Sequence, residues 1–130
     1  MSHAQLRLEL PARPESLDRV RSTLRSWLED AGATPEEMFE LVAVCGEVCM
    51  NTVVHAYAGD SGPLEVHGRC SDGEVAITVR DRGRWCSRRG RGGGVGFTIV
   101  RAMIDCLFRH SKADGTEVLV RRRLKGPPST

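Results

Sequence analysis

The stretch Glu47-Val48-Cys49-Met50-Asn51-Thr52-Val53-Val54-His55-Ala56-Tyr57 decides how this chain is read. Its apolar residues recur at helical spacing, yet Glu47, Asn51 and His55 follow one another at four-residue intervals. At about 100° per residue the three polar side chains fall within about 80° of one another, on the border of the apolar face. Polar groups at the margin of a core cost several kcal/mol when they lack partners. The row is therefore either a solvated helix edge or the rim of a cleft where a ligand supplies the partners.

Upstream, Thr34-Pro35-Glu36-Glu37 is a helix start: Thr34 as N-cap, Pro35 at the first position and Glu37 three residues on. The helix it opens is predicted to run to His55 or Tyr57, with Leu41, Val42, Cys45, Val48, Cys49, Thr52 and Val53 on its buried face. Before it, ESLDRVRSTLRSWLEDAG (15–32) puts Leu17, Val20, Leu24, Trp27 and Leu28 on one helical face and ends at Gly32. LRLEL (6–10) alternates as a half-buried strand does.

Downstream, GDSGP (59–63) is a turn cluster. LEVHGRC (64–70) and EVAITVRD (74–81) read as strands joined through Ser71-Asp72-Gly73. Val75, Ile77 and Val79 face one way, and Ala76, Thr78 and Arg80 the other. A Gly/Arg-rich loop, GRWCSRRGRGGGVG (83–96), leads to an apolar helix, FTIVRAMID (97–105). A final hairpin, CLFRH (106–110) and TEVLVRRRL (116–124), turns around Ala113-Asp114-Gly115. This order predicts an α+β fold, a two-layer α/β sandwich with a mixed, mostly antiparallel sheet and helices on one face. One domain spans 1–125, and GPPST (126–130) is a disordered tail.

Bulk properties narrow the class. With 130 residues, 40% hydrophobic and 28% charged, the chain suits one globular domain. No run of about 18 uninterrupted apolar residues occurs, and MSHAQLRLELPARPE lacks a signal peptide's apolar middle, so no membrane association and a cytoplasmic location are expected. A net charge of +2 and 5% aromatic residues give little support for nucleic-acid binding, despite six arginines between Arg80 and Arg91. The five cysteines are odd in number and scattered, which argues against a disulfide framework. Cys45 and Cys49 have a chelating spacing, but no second pair completes a zinc set, so they read as small buried hydrophobes.

Two further patterns bear on chemistry. Asp81-Arg82-Gly83 ends a strand: an aspartate there accepts from an exocyclic amine, and the glycine lets a flat ring approach the backbone. GGGVGF (92–97) precedes a helix, so its N–H groups suit an anion, although no Gly-Lys-Ser/Thr follows it. Each is weak alone. In order, with Gly115-Thr116 in the last hairpin, they supply an acceptor for adenine, N–H groups for phosphates, an amide oxygen suited to Mg²⁺ and a base near the γ-phosphate.

In this combination the chain resembles the GHKL ATPases (histidine kinases, gyrase B, MutL), and most of all their anti-sigma-factor serine/threonine kinases of the RsbW/SpoIIAB type. GEVCMNTVVHAY (46–57) resembles that branch's N-box, VRDRGRW (79–85) its G1 box, GVGFTIVRAMID (94–105) its G2 box and DGTEVLV (114–120) its final Gly-Thr strand. The resemblance implies a Bergerat-type ATP-binding fold and an ATP- and Mg²⁺-dependent kinase that regulates transcription by partner switching. It would inhibit a sigma factor, phosphorylate a small antagonist protein on Ser or Thr, and act as a homodimer. By the same resemblance Glu47 is the catalytic base, Asn51 holds Mg²⁺ against the phosphates, and Asp81 accepts from the adenine amine beside Gly83 and Thr116. Gly94 and Gly96 would offer N–H groups, residues 84–94 would form a lid with Arg88, Arg89 and Arg91 as candidate phosphate contacts, and His55 would pack next to Asn51. ESLDRV resembles the family's partner-binding helix, which makes Arg19 a candidate contact. The chain departs from the pattern at Trp85, which stands where a common G1 box has a second glycine, and in its short lid. The alternative expectation is a non-catalytic ATP-binding module that sequesters a partner.

Overall fold

A computed structural model describes residues 5–57, 62–83, 105–111 (backbone only) and 115–125. The elements run β1 (Leu6–Pro11), α1 (Ser16–Asp30), α2 (Pro35–His55), β2 (Pro63–Ser71), β3 (Glu74–Asp81), β4 (Asp105–Ser111) and β5 (Gly115–Arg123). The five strands form one sheet in the order β1-β2-β3-β5-β4. Every described pairing is antiparallel, so the parallel component of a mixed sheet does not occur among these strands. The loop and helix expected over 84–104 and the tail at 126–130 lie outside the described residues. Asp105, expected to close that helix, instead opens β4.

Strand alternation fixes which face is covered. Leu64 and Val66 of β2, Val75, Ile77 and Val79 of β3, and Val118 and Val120 of β5 are all buried and stand in register across the sheet. Arg7, His67, Arg69, Arg80 and Arg121 point to the opposite, open face. The expected division of β3 therefore holds. At the β2–β3 hairpin Asp72 and Gly73 both adopt positive φ, 52° and 79°, as a tight two-residue turn requires. In the last hairpin Gly115 is the first residue of β5 rather than part of the turn.

α1 packs on β1 and α2, and α2 on β3. α1 buries Leu17, Val20, Leu24, Trp27 and Leu28, the face its sequence predicts. α2 buries the predicted set apart from Val53, which is half-buried, together with Val44 and Gly46. A Cβ on Gly46 would lie 3.2 Å from the Arg21 guanidinium of α1. The buried arc is therefore wider than a single-faced helix shows, because α2 meets both the sheet and α1. α2 has 21 residues and a mean hydropathy of 1.3 over its most apolar 18-residue window, long and apolar enough to cross a bilayer, yet 44% of that window is buried inside the protein.

The start of α2 is tied to the far end of β5 by one carboxylate. Thr34 and Glu37 form the expected capping box: Glu37 N donates to Thr34 Oγ1 at 3.1 Å, and Thr34 N to Glu37 Oε1 at 2.8 Å. The other oxygen, Oε2, accepts from Arg122 Nη1 and from the backbone N of Lys125, each at 2.8 Å. Glu37 and Arg122 are 1% and 4% exposed, so the pair is shielded from solvent. Arg122 also approaches Glu40 Oε1 at 3.3 Å, but the alignment is not that of a hydrogen bond, and Arg122 Nε has no hydrogen-bond partner. Burial pushes the Glu37 carboxyl up, but its bonds from Thr34, Lys125 and Arg122 together bring it below its ordinary value of 4.5.

Removing one member of a buried pair strands the other charge, at a cost of about 3–5 kcal/mol. Glu37→Gln and Arg122→Met are each expected to lower the unfolding free energy by about that amount in urea titrations, and the double variant by less than the sum. Because the folded carboxyl titrates below the unfolded one, its contribution is complete above the unfolded value and disappears as pH falls through the folded value. Glu37→Gln should therefore flatten the acid side of the stability–pH curve, and an unchanged acid side would overturn this account.

Candidate functional site

The site is built where the C-terminal half of α2 lies on the end of β3. Glu47, Asn51 and His55 lie along one line of α2 and are each half-buried. His55 already has an interaction partner within the protein. One residue on from Asn51, Thr52 turns inward and is 2% exposed. Its hydroxyl lies 3.3 Å from the Val48 carbonyl and 3.4 Å from Asp81 Oδ2. The amide row of α2 is thus one helical step from the strand-end aspartate. The expectation that grouped the two in one site did not include the Thr52 hydroxyl as a link between them.

Asp81 closes β3 and is also 2% exposed. Its Oδ1 accepts from the backbone N of Gly83 at 2.9 Å, an Asx-type turn that carries the chain out of the sheet. Thr116 is Asp81's neighbour across the β3–β5 register and is equally buried. Two glycines make the junction tight. A Cβ on Gly83 would meet the Ala56 carbonyl oxygen at 2.0 Å, and one on Gly115, where φ is 94°, would meet the Asp81 carbonyl oxygen at 2.0 Å. Backbone thus fills the space a side chain would need, on both flanks of Asp81.

Tyr57, just past the end of α2, locks the same region. Its hydroxyl donates to the Pro63 carbonyl at 2.6 Å and accepts from Arg82 N at 2.9 Å. Burial pushes the phenol up, the Arg82 N–H pulls it down, and the nearby Asp81 charge pushes it up again, leaving it above its ordinary value. This latch was not anticipated. A tyrosine closing the helix beside a proline-initiated strand was the only signal for it.

The donor set fits a purine nucleotide with Mg²⁺. A buried carboxylate at a strand end suits an amine donor, and half-exposed Asn51 offers an amide oxygen. Magnesium takes one or two protein ligands and fills its remaining positions with phosphate and water. No cluster of three His, Cys, Asp or Glu occurs among the described residues. Cys45 and Cys49 are fully buried as expected, and burial pushes the Cys49 thiol up to about 12, far from a thiolate ligand. Depressions lined by Arg69, Arg121 and Arg123 open on the other face of the sheet and do not include these residues. Arg19 is exposed on α1 and takes no part in the Asp81 junction. Trp85, Arg88, Arg89, Arg91, Gly94 and Gly96 lie outside the described residues.

The model of the histidine kinase-like ATPase domain matches residues 10–122. An anti-sigma F factor of Clostridium perfringens is 24% identical over 136 residues, covering 92% of this chain and 96% of the relative. The serine-protein kinase RsbW of Bacillus pumilus is 35% identical over 72 residues, covering 55% of this chain and 40% of the relative. The crystal structure of the RsbU and RsbW domains of a Mycobacterium tuberculosis protein superposes with a TM-score of 0.76 at 30% identity, over 95% of this chain. This chain spans 33% of that solved chain.

Tyr57 is the chain's one tyrosine, so its titration is directly readable by ultraviolet absorbance. The phenolate is expected to appear above the ordinary tyrosine value of 10.0 and to return towards it in urea. Tyr57→Phe should cost about 1–3 kcal/mol of stability, since it leaves the Arg82 N–H and the Pro63 carbonyl without this partner. A phenol titrating below 10.0 in the folded protein would contradict the latch.

Proposed function

The chain belongs to the histidine kinase-like ATPase domain family, whose model covers residues 10–122, and from that premise we propose that it is an ATP- and Mg²⁺-dependent protein serine/threonine kinase that works by partner switching. It binds and inhibits a sigma factor, and it phosphorylates a small antagonist protein on Ser or Thr. The names of its relatives, an anti-sigma F factor and the serine-protein kinase RsbW, support the regulatory and the kinase halves of this reading. It acts in the cytoplasm, where these partners occur, and as a homodimer.

One observation carries the site assignment: Thr52, the neighbour of Asn51, lies against Asp81. This contact supports the reading that the helix bearing Glu47 and Asn51 serves the same site as Asp81, the proposed amine acceptor. In the proposed roles Asp81 accepts from the adenine amine, Gly83 keeps the approach to the ring flat, and Thr116 supports Asp81 from β5. Asn51 holds Mg²⁺, which neutralises charge on the phosphates. Glu47, one turn before Asn51, orients the substrate hydroxyl and takes its proton. His55 braces Asn51, and Gly94, Gly96 and Arg91 bind phosphate. Phosphoryl transfer asks little covalent chemistry of the protein, so positioning and charge are what these residues supply. Arg19 contacts the partner protein.

A second reading is favoured by Trp85, which replaces a G1-box glycine. In that reading the chain binds ATP and sequesters its partner without transferring phosphate.

The two readings separate in one experiment. Capture of bound proteins in ATP and Mg²⁺, with phosphoserine and phosphothreonine read by mass spectrometry, should identify a small phosphorylated partner. With that partner and radiolabelled ATP, Glu47→Ala should retain ATP affinity within about threefold while transfer falls by a factor of about 10² or more. Equal transfer by wild type and variant would remove Glu47 from the role of base. Partner capture without any transfer would establish the second reading.

A further inference from the structure

Resting on the reading of Asp81 as the adenine acceptor, we propose that Thr52 is a positioning residue for base selection: its hydroxyl sets the rotation of the Asp81 carboxylate and thereby the preference for a purine that carries an exocyclic amine. A helical threonine commonly back-bonds to the carbonyl four residues earlier, and Thr52 does so to Val48 at 3.3 Å. What that habit does not explain is the second acceptor sharing the single hydroxyl proton, Asp81 Oδ2 at 3.4 Å, in a different element and 29 residues away. The two groups meet in a space closed to solvent, since each residue is 2% exposed.

The geometry gives the contact a definite task. Rotation of the Asp81 carboxylate about its Cβ–Cγ bond moves both oxygens, and the bond from Gly83 N to Oδ1 at 2.9 Å restrains it from one side. A hydroxyl on Oδ2 opposes that rotation from the α2 side. The sheet side is equally tight, because backbone stands where a Cβ on Gly115 would lie. Asn51, which the reading assigns to Mg²⁺ and phosphate, is adjacent to Thr52 in the helix. One helical step thus links the phosphate end of the site to its base end, and a displacement of α2 shifts both.

The test compares ATP with purine riboside triphosphate, which lacks the exocyclic amine, by calorimetric titration in Mg²⁺. Wild type is expected to bind ATP at least about tenfold more tightly, as a site built to take a hydrogen bond from the amine does. Thr52→Val keeps the side chain's shape and should reduce that ratio to about threefold or less, mainly by weakening ATP. Thr52→Ser keeps the hydroxyl and should restore the ratio. Melting curves of each variant with and without each nucleotide give a second readout of the same ratio. If Thr52→Val weakens both nucleotides equally, the hydroxyl serves packing alone and the proposal is wrong. If wild type itself does not distinguish the two nucleotides, the reading of Asp81 fails first and the proposal with it. Should Thr52→Val not fold, an unrestored ratio in the milder Thr52→Ser decides against it.

Discussion

The buried Glu37 carboxylate is the constraint on which the rest of the arrangement hangs. It completes the cap that starts α2 and accepts from Arg122 and Lys125 at the end of β5. A helix pinned at one end pivots freely about it. At the other end the Ala56 carbonyl abuts Gly83, Thr52 meets Asp81, and Tyr57 bridges Arg82 and Pro63. With both ends held, the angle of α2 across the sheet is set, and with it the position of Glu47 and Asn51 over the end of β3. Packing supplies most of the stability, yet apolar contacts are non-directional and tolerate sliding. The polar anchors at the two ends remove that freedom.

Much of this was legible from residue order. Periods of 3.6 and 2 gave the two helices and the strands, and the Thr34–Glu37 box gave the start of α2. The positions the sequence concealed are those where one residue serves two elements. Glu37 reads as a cap because its cap partner is three residues away, while its ion-pair partner is 85 residues away. A signal was nonetheless present. Arg122 follows Val118 and Val120 at the same strand parity, and an arginine at an inward position demands a buried anion. Thr52 was placed among the buried residues, but its hydroxyl's target was invisible because it lies across the helix–sheet contact. The breadth of α2's buried arc was hidden for a similar reason: Gly46 looks like a weak point in a helix until Arg21 of α1 is seen to cover it.

α2 carries more apolar surface than its buried faces use. Phe39, Met50 and Val54 are exposed, and they sit within about 60° of one another on the helix. This surplus, added to the buried residues, is what raises the helix to the hydropathy of a membrane span. It also explains why Glu47, Asn51 and His55 stand out in the sequence. On a helix apolar on several sides, a line of three polar residues is not what solvation alone requires.

The two buried carboxylates divide the tasks of the fold. Glu37 meets a guanidinium directly, so its charge is cancelled within the protein and holds two elements together. Asp81 has among its partners the Gly83 N–H and the Thr52 hydroxyl, two neutral donors that reach its two carboxylate oxygens from the loop and from α2. Neutral donors offset part of the desolvation cost and fix direction without cancelling the charge. An acid paired like Glu37 has little left to offer a ligand. Asp81 stands at the end of a strand and beside a glycine with no side chain to block approach, which is the placement its proposed role as an acceptor requires. The same kind of residue thus joins α2 to β5 at one end of the helix and, at the other, meets α2 and the Gly83 turn at the point where the proposed site lies.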